Sequence, residues 1–300
     1  MNKELEQWVK DNPKLVRVSR SERYPELRVI KYTNKVFYDN LWSAHPYLID
    51  MRGTVVDEDF NPVIMPFRKI FNQYENDTNF DRDDTVLASK KVNGFMGAVT
   101  WNNGKVYFST TGTLDSQYAD YVKEIVPQKF IDFLLQKPHW NTAITYLFEI
   151  VHPDDPHVVP EEVGAYLLGA RTPKWGTNCY YGGATHVEQQ LDVIAEDNDL
   201  LRPEWKLVRF SDLCKEVKEC KHEGYVAYDS GGRALKLKSP YYKIIKLFGR
   251  GNVLKKLTSK QWVDEEYYPL CDNIKENIEL FTSLTEQEKF DYIRRHLNDE

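Results

Sequence analysis

Lys91 opens the run Lys91-Val92-Asn93-Gly94, and three later stretches set charged groups into strand-like surroundings. These are Tyr146-Leu147-Phe148-Glu149-Ile150-Val151, Glu223-Gly224-Tyr225-Val226-Ala227-Tyr228 and Ala234-Leu235-Lys236-Leu237-Lys238. A free lysine, with a pKa of about 10.4, is almost wholly protonated at neutral pH; it becomes a nucleophile where burial or neighbouring cations destabilise its ammonium form. Lys236 and Lys238 could supply that cationic field. The same pair could grip a triphosphate whose α-phosphorus Lys91 attacks, while a divalent cation neutralises the leaving pyrophosphate. Glu149 interrupts an apolar run, where a carboxylate is costly unless it has a partner. It is suited to accept hydrogen bonds from ribose hydroxyls, and Glu223 to sit near a metal or the reacting lysine. Singly, each has an ordinary explanation: a surface lysine before a turn, a paired buried acid, a solvated strand face. Together they point to an enzyme that carries a nucleotide on a lysine.

These residues need elements to aim them. Strand side chains alternate, so Lys236 and Lys238 share one face while Leu235 and Leu237 take the other. Tyr225 to Tyr228, a turn at Asp229-Ser230-Gly231-Gly232, and Ala234 to Lys238 read as a hairpin. An earlier hairpin runs from Phe95 to Trp101, turns through Asn102-Asn103-Gly104 and returns to Thr110, with Lys91 at its entrance. Leu27 to Val63 reads as short strands and turns, Ala165 to Arg171 as another strand, and Gly176 to Gly183 as a polar, aromatic loop. Asp115 to Lys137 has helical spacing split by Pro127. After Pro240 the texture becomes helical: Tyr241 to Phe248, Asn252 to Leu257, and a last helix around Phe290, Ile293 and Leu297 that opens on a Thr285-x-x-Glu288 capping box. The chain is therefore expected to be α+β, with antiparallel sheets flanked by helices over residues 1–244 and a small all-helical domain over 245–300.

A length of 300 residues suits one large or two unequal domains. The formal charge of −6 argues against a surface coated in lysine for general polyanion binding. Yet from Arg233 to Lys256 the chain carries basic residues, Lys243, Lys246 and Arg250 among them, and no acid. A local basic stripe is all that nucleic-acid binding requires. The cysteines, Cys179, Cys214, Cys220 and Cys271, form no CxxC pair, so reduced thiols of a cytosol are expected rather than a zinc or disulfide framework. No signal-like apolar core and no run near the roughly 20 apolar residues of a membrane span is present, which predicts a cytoplasmic protein without a membrane partner.

The order Lys91-x-Asn93-Gly94, Phe148-Glu149-Ile150-Val151, Leu167-Leu168-x-x-Arg171, Glu223-Gly224-Tyr225-Val226, Lys236-x-Lys238-Ser239 resembles the covalent nucleotidyltransferase superfamily of ligases and capping enzymes, whose domain is ATP-grasp-like. Within it, the chain is most similar to bacteriophage ATP-dependent RNA ligases of the tRNA-repair type. Tyr32, Arg52-Gly53 and Phe67-x-Lys69-x-Phe71-Asn72 stand where that family carries its tyrosine, Arg-Gly and Lys-x-Phe-Asn elements. The resemblance spans about residues 28–243. It implies that Lys91 takes AMP from ATP, that AMP passes to an RNA 5′-phosphate, and that a 3′-hydroxyl displaces AMP to seal the strand. Mg2+ or Mn2+ would assist, and RNA ends, tRNA included, would be the partner, in a host cytoplasm if the chain is viral. It further implies phosphate contacts from Arg52, Lys69, Lys236 and Lys238, a ribose contact from Glu149, a nucleotide-pocket place for Tyr32, Asn93, Gly94 and Arg171, and a metal or lysine partner in Glu223.

Three departures qualify the likeness. Asn93 replaces the family's usual aspartate and loses a charge, which predicts altered lysine activation or metal use. Thr110-Thr111-Gly112-Thr113 stands where relatives place a basic residue before glycine, and the helical end is shorter than in the tRNA-mending relative. DNA ligases and capping enzymes share the lysine chemistry but normally add a five-stranded OB-fold after the last lysine motif, whereas 245–300 reads as helical. A nucleotide- or RNA-binding protein that has lost turnover is the reading that Asn93 and Thr111 would favour.

Overall fold

Apolar residues at every second position suit a sheet covered on one face, and the middle of this chain supplies them hairpin by hairpin. The structure, a computed structural model, describes residues 3–136, 144–176, 180–257, 263 and 265–298. In chain order, α1 (Lys3–Asp11) precedes β1 (Val16–Arg20), β2 (Arg28–Tyr32), α2 (Asn34–Tyr38), β3 (Arg52–Val56) and β4 (Pro62–Ile64). Then come β5 (Phe71–Asn72), β6 (Thr85–Lys90), β7 (Phe95–Asn102), β8 (Lys105–Thr110), α3 (Gln117–Ile125) and α4 (Gln128–Gln136). They are followed by β9 (Thr145–Val151), β10 (Gly164–Arg171), β11 (Tyr180–Tyr181), α5 (Thr185–Asp197), β12 (Trp205–Arg209) and α6 (Phe210–Glu219). The last hairpin is β13 (Gly224–Tyr228) and β14 (Ala234–Lys238). Helices close the chain: α7 (Pro240–Gly249), α8 (Val253–Leu257), α9 (Tyr268–Glu276), α10 (Ile278–Ser283) and α11 (Glu286–Asn298).

Among the described residues three sheets form, ordered β1-β2-β3-β4, β11-β10-β9-β7-β8 and β12-β6-β13-β14-β5. Neighbours pair antiparallel except β14 with β5, which run parallel. The expected α+β class with antiparallel sheets and flanking helices is what forms. Alternation decides the faces. On β9, Tyr146, Phe148 and Ile150 pack with Val122 of α3, Phe130 and Leu134 of α4 and Leu191 of α5, while Leu147 joins Ile64 and Val55 of the first sheet. Glu149 shares the face of Leu147 and so is turned away from the helices. On β14, Leu235 and Leu237 pack against Phe210, Leu213 and Val217 of α6. Lys236 and Lys238 are left on the opposite face, as their spacing predicts.

The hairpins β7–β8 and β13–β14 stand where the sequence places them. Pro127 separates α3 from α4. Lys91 does precede the first hairpin, and it does so where the chain crosses from the sheet of β6 to the sheet of β7. Helices α5 and α6 lie in a stretch for which hairpin patterning gives no expectation, although Phe210, Leu213 and Val217 fall at helical spacing. The loop read over Gly176 to Gly183 lies partly outside the described residues, as do Cys179 and Lys137.

Helix α7 begins on a well-formed cap: Pro240 occupies the first turn and Ser239 Oγ accepts from the Tyr242 N–H at 3.0 Å. The predicted capping box opens α11, with Thr285 N–H donating to Glu288 Oε2 at 2.8 Å and Glu288 N–H to Thr285 Oγ1 at 3.3 Å. Tyr242, Ile245 and Phe248 of α7 share a core with Leu270 and Ile274 of α9, Phe281 of α10, and Phe290 and Ile293 of α11. Val158 and Val159, from the segment between β9 and β10, join that core. Arg294 of α11 is buried and donates to the Val158 carbonyl at 2.6 Å and the His157 carbonyl at 3.2 Å. No helix among the described residues is long and apolar enough to cross a membrane.

Candidate active site

Side chains on the inner faces of β6, β9, β13 and β14 enclose a cavity of about 400 Å³. Lys91, Asn93, Gly94, Glu149, Glu223, Lys236, Lys238 and Arg52, all singled out from sequence, line it. Lys91 follows the last residue of β6, and its N–H is held by the Gly224 carbonyl at 2.8 Å. This ties the lysine to the start of β13, one residue after Glu223. Gly224 has φ +126° and a side chain there would meet the Leu237 carbonyl at 2.0 Å, so only glycine lets the start of β13 lie this close to β14 beside Glu223.

Glu223 is the hub. Its Oε1 lies 3.1 Å from Lys91 Nζ and 3.3 Å from Lys238 Nζ, and its Oε2 accepts from Asn93 Nδ2 at 2.9 Å. Asn93 uses its other polar atom as well: Oδ1 accepts from the Val159 N–H at 3.0 Å. An aspartate here could not donate to Glu223 without first taking a proton, and would set two carboxylates against each other. Gly94 approaches so closely that a Cβ would meet the Ile150 carbonyl at 2.2 Å, and its N–H donates to Glu149 Oε1 at 3.2 Å.

The electrostatics divide the site. Burial works against the charge of Lys91, but the Glu149 and Glu223 carboxylates outweigh it and hold the pKa above the ordinary lysine value. Lys236 is in the opposite position: burial, then Arg52, Lys91, Lys69 and Lys238, all cations, lower it to about 7. Burial raises Glu149, with Lys91 opposing. Glu223 is subject to the same burial penalty, yet Lys91, Lys238 and the Asn93 amide bring it below the usual carboxylate range.

Three residues inferred from the resemblance lie outside the cavity wall. Tyr32 packs edge-on against Trp42 with ring centroids 4.9 Å apart, and burial raises its hydroxyl's pKa with Arg52 opposing. Lys69 is paired with Glu75 at 2.8 Å and lies 5.0 Å over each of the Phe37 and Phe71 rings. Arg171 is completely buried, with Nη2 2.5 Å from Asp50 and Nη1 donating to the Pro66 carbonyl at 2.7 Å. Its place follows from register: Arg171 pairs with Thr145 on β9, four residues and roughly 13 Å from Glu149. It braces Asp50, two residues before Arg52. The nucleotide contact expected of Arg171 is therefore not what this geometry offers.

The cavity also has walls that the motifs do not include. Tyr242, Lys246 and Arg250 of α7 and its C-terminal edge line it, as does Thr111. Lys238 Nζ lies 4.9 Å over the Tyr242 ring, and Lys246 Nζ donates to the Tyr242 hydroxyl at 3.2 Å. The acid-free basic stripe from Arg233 to Lys256 was the available signal for Lys246 and Arg250. Thr111 brings a hydroxyl where a cation was the family expectation.

The donor set decides what metal could be held. Among the described residues no three His, Cys, Asp or Glu side chains gather into a ready-made cage. The cavity carboxylates, Glu149, Asp155 and Glu223, suffice for an ion of the magnesium class, which takes one or two carboxylates and completes its shell with phosphate oxygens and water.

No protein-family model matches the chain, and no curated protein matches its sequence. Solved structures do resemble it. A protein from Aquifex aeolicus assigned as an ATP-dependent DNA ligase is similar with a TM-score of 0.57 at 14% identity, over 97% of this chain and 77% of that one. Two forms of an archaeal ATP-dependent RNA ligase are similar with TM-scores of 0.57 and 0.55 at 14% and 13% identity, over 98% and 97% of this chain and 86% and 75% of theirs. At these identities the likeness is one of fold: the chain has the mixed α and β nucleotidyltransferase fold seen in ATP-dependent ligases.

Proposed function

We propose that the chain is an ATP-dependent RNA ligase that joins 5′-phosphate and 3′-hydroxyl ends through an AMP carried on Lys91. The observation that carries this reading is the placement of Lys91 against Glu223, facing Glu149 and beside Lys236 and Lys238, in one cavity. The Glu223 carboxylate, 3.1 Å from Lys91 Nζ, would take the ammonium proton, and the freed amine would attack the α-phosphorus of ATP. A P–N bond forms, the bond to the bridging oxygen breaks, and pyrophosphate leaves. An oxygen of the RNA 5′-phosphate then attacks the AMP phosphorus, the P–N bond breaks, and the lysine nitrogen takes up a proton. Attack by the 3′-hydroxyl on the activated 5′-phosphate releases AMP.

Lys236, Lys238 and Arg52 would bind the phosphates, and Glu149 the ribose. Asn93 would hold Glu223 in place, its two polar atoms being engaged by protein. Glu223 would hold Mg2+ or Mn2+, which when bound supplies charge neutralisation on the phosphates. Residues 1–244 would form the adenylyltransferase unit and 245–300 its helical appendage. The preference for RNA over DNA rests on the motif resemblance and on the helices that follow Lys238 where DNA ligases and capping enzymes place an OB-fold. Breaks in cellular RNA, tRNA included, are the corresponding substrates.

Incubation with ATP or GTP labelled at the α-phosphate, with Mg2+ or Mn2+, is the test. ATP label should survive denaturation on the wild type and on Lys90→Ala and vanish in Lys91→Ala. Labelling by GTP alone would point to capping chemistry, and no label with either metal to a binding protein. Sealing of nicked RNA but not nicked DNA by the labelled protein is the expected second result.

A further inference from the structure

A second, larger hollow of about 810 Å³ shares two of its walls with the catalytic cavity. Lys236 and Lys238 line both. From them the groove runs along the edge of the mixed sheet, between α6, the start of α7 and the loop that follows β5. Arg82, Lys218 and Lys243 line it, all exposed, and no carboxylate does. None of these three cations makes an ion pair among the described residues, in a chain whose net charge is −6. Cations left unpaired along a concave path in an acidic protein focus potential for an anion longer than the catalytic cavity can hold.

Tyr74 supplies the second element. It lines the same groove, is 73% exposed, and sits at φ +67°, a left-handed conformation that is strained for a side chain of this size. The loop is held from inside: Glu75 accepts from the Asn72 N–H at 2.9 Å and pairs with Lys69, and the Gln73 N–H donates to the Lys236 carbonyl at 3.0 Å. The fold thus fixes an aromatic ring in solvent beside a line of cations. A cationic track with an exposed ring for base stacking is the arrangement that binds single-stranded nucleic acid without sequence preference.

We infer that this groove binds a single-stranded polynucleotide, its phosphates on Arg82, Lys218 and Lys243 and a base on Tyr74, and leads its end to Lys236 and Lys238. The inference rests on the proposed ligase reading for the identity of the end that arrives. An acidic protein segment would use the cations but has no use for Tyr74 and no reason to continue into the catalytic cavity.

Fluorescein-labelled single-stranded 16-mers of RNA and of DNA, titrated into the full chain over a range of salt concentrations without ATP, test it. In Arg82→Ala with Lys218→Ala, the slope of log affinity against log salt should become shallower by about 1.4, from about 0.7 per lost phosphate contact. Tyr74→Ala should weaken binding about five-fold or more with the slope unchanged. Preference for ribose, or equal binding of both sugars, fits the groove. Wild-type affinity and slope in variants that melt at the wild-type temperature would overturn it, as would poly-glutamate competing as well as the strand. The ligase reading is judged separately by labelling of the wild type with ATP: a chain that takes no label but shows these affinity losses keeps the groove and loses the ligase.

Discussion

Two lysines in the same cavity are driven in opposite directions by their surroundings. Lys91 faces Glu149 and Glu223 and is held as an ammonium, whereas burial and the surrounding cations lower Lys236 to about 7. The contrast is the reverse of what the proposed first step needs, since a nucleophile must be neutral and a phosphate ligand charged. In this resting arrangement Glu223 restrains the nucleophile, and the positive charge at Lys236 is incomplete until an anion arrives. A triphosphate entering beside Lys236 would favour its protonation, and one that draws Lys238 and Glu223 into its own contacts would weaken the hold on Lys91.

The largest expected effect on this contrast comes from Glu223→Gln. Removing the carboxylate should cut Lys91 labelling about a hundred-fold, on the scale of losing one acid–base participant. The residual activity should have its pH–rate profile moved to lower pH, because one of the two groups that raise Lys91 is gone. A profile that stays in place would detach Glu223 from the control of Lys91. Next in size is Asn93→Asp, which puts a second carboxylate where an amide now donates to Glu223. Urea unfolding should show a loss of about 1–3 kcal/mol at pH 7, from a buried hydrogen bond replaced by repulsion. Less loss at pH 4.5, where one of the two acids can take a proton and donate, would tie the cost to charge.

The smallest effect tests the other lysine. Between about 7 and the free-lysine value of about 10.4, the unfolded chain binds a proton at Lys236 that the folded chain does not, so this group makes stability rise with pH across that window. Its penalty is fully present below about 7. Lys236→Met should therefore gain on the wild type more at pH 7 than at pH 10 in urea midpoints, while ATP labelling weakens. Calorimetry of ATP binding at pH 8 in buffers of different ionisation enthalpy should show net proton uptake of less than one proton per site by the wild type and less by Lys236→Met.

Much of this site was legible because it depends on local rules. Alternation put Lys236 and Lys238 on one face, and the apolar run set Glu149 in a covered strand. What escaped was set by partners that residue spacing does not name. Arg171 stands in a strand of the right kind, but its partner Asp50 lies 121 positions away and takes the guanidinium out of the site. Lys69 is likewise claimed by Glu75 and three aromatic rings, to which spacing gives no clue. The loss of charge at Asn93 looked like a defect until Val159 appeared as its second partner, which only tertiary packing reveals.

The clamp of Arg294 on His157 and Val158 acquires a meaning beyond packing when followed inward. Val159, the next residue, is the one whose N–H holds Asn93, and Asn93 holds Glu223. The last helix is thus four contacts from Lys91 although it contributes nothing to the cavity wall. Such an end is not interchangeable cargo. A lineage that traded it for another appendage would have to rebuild the anchoring of Asn93 and Glu223 at the same time.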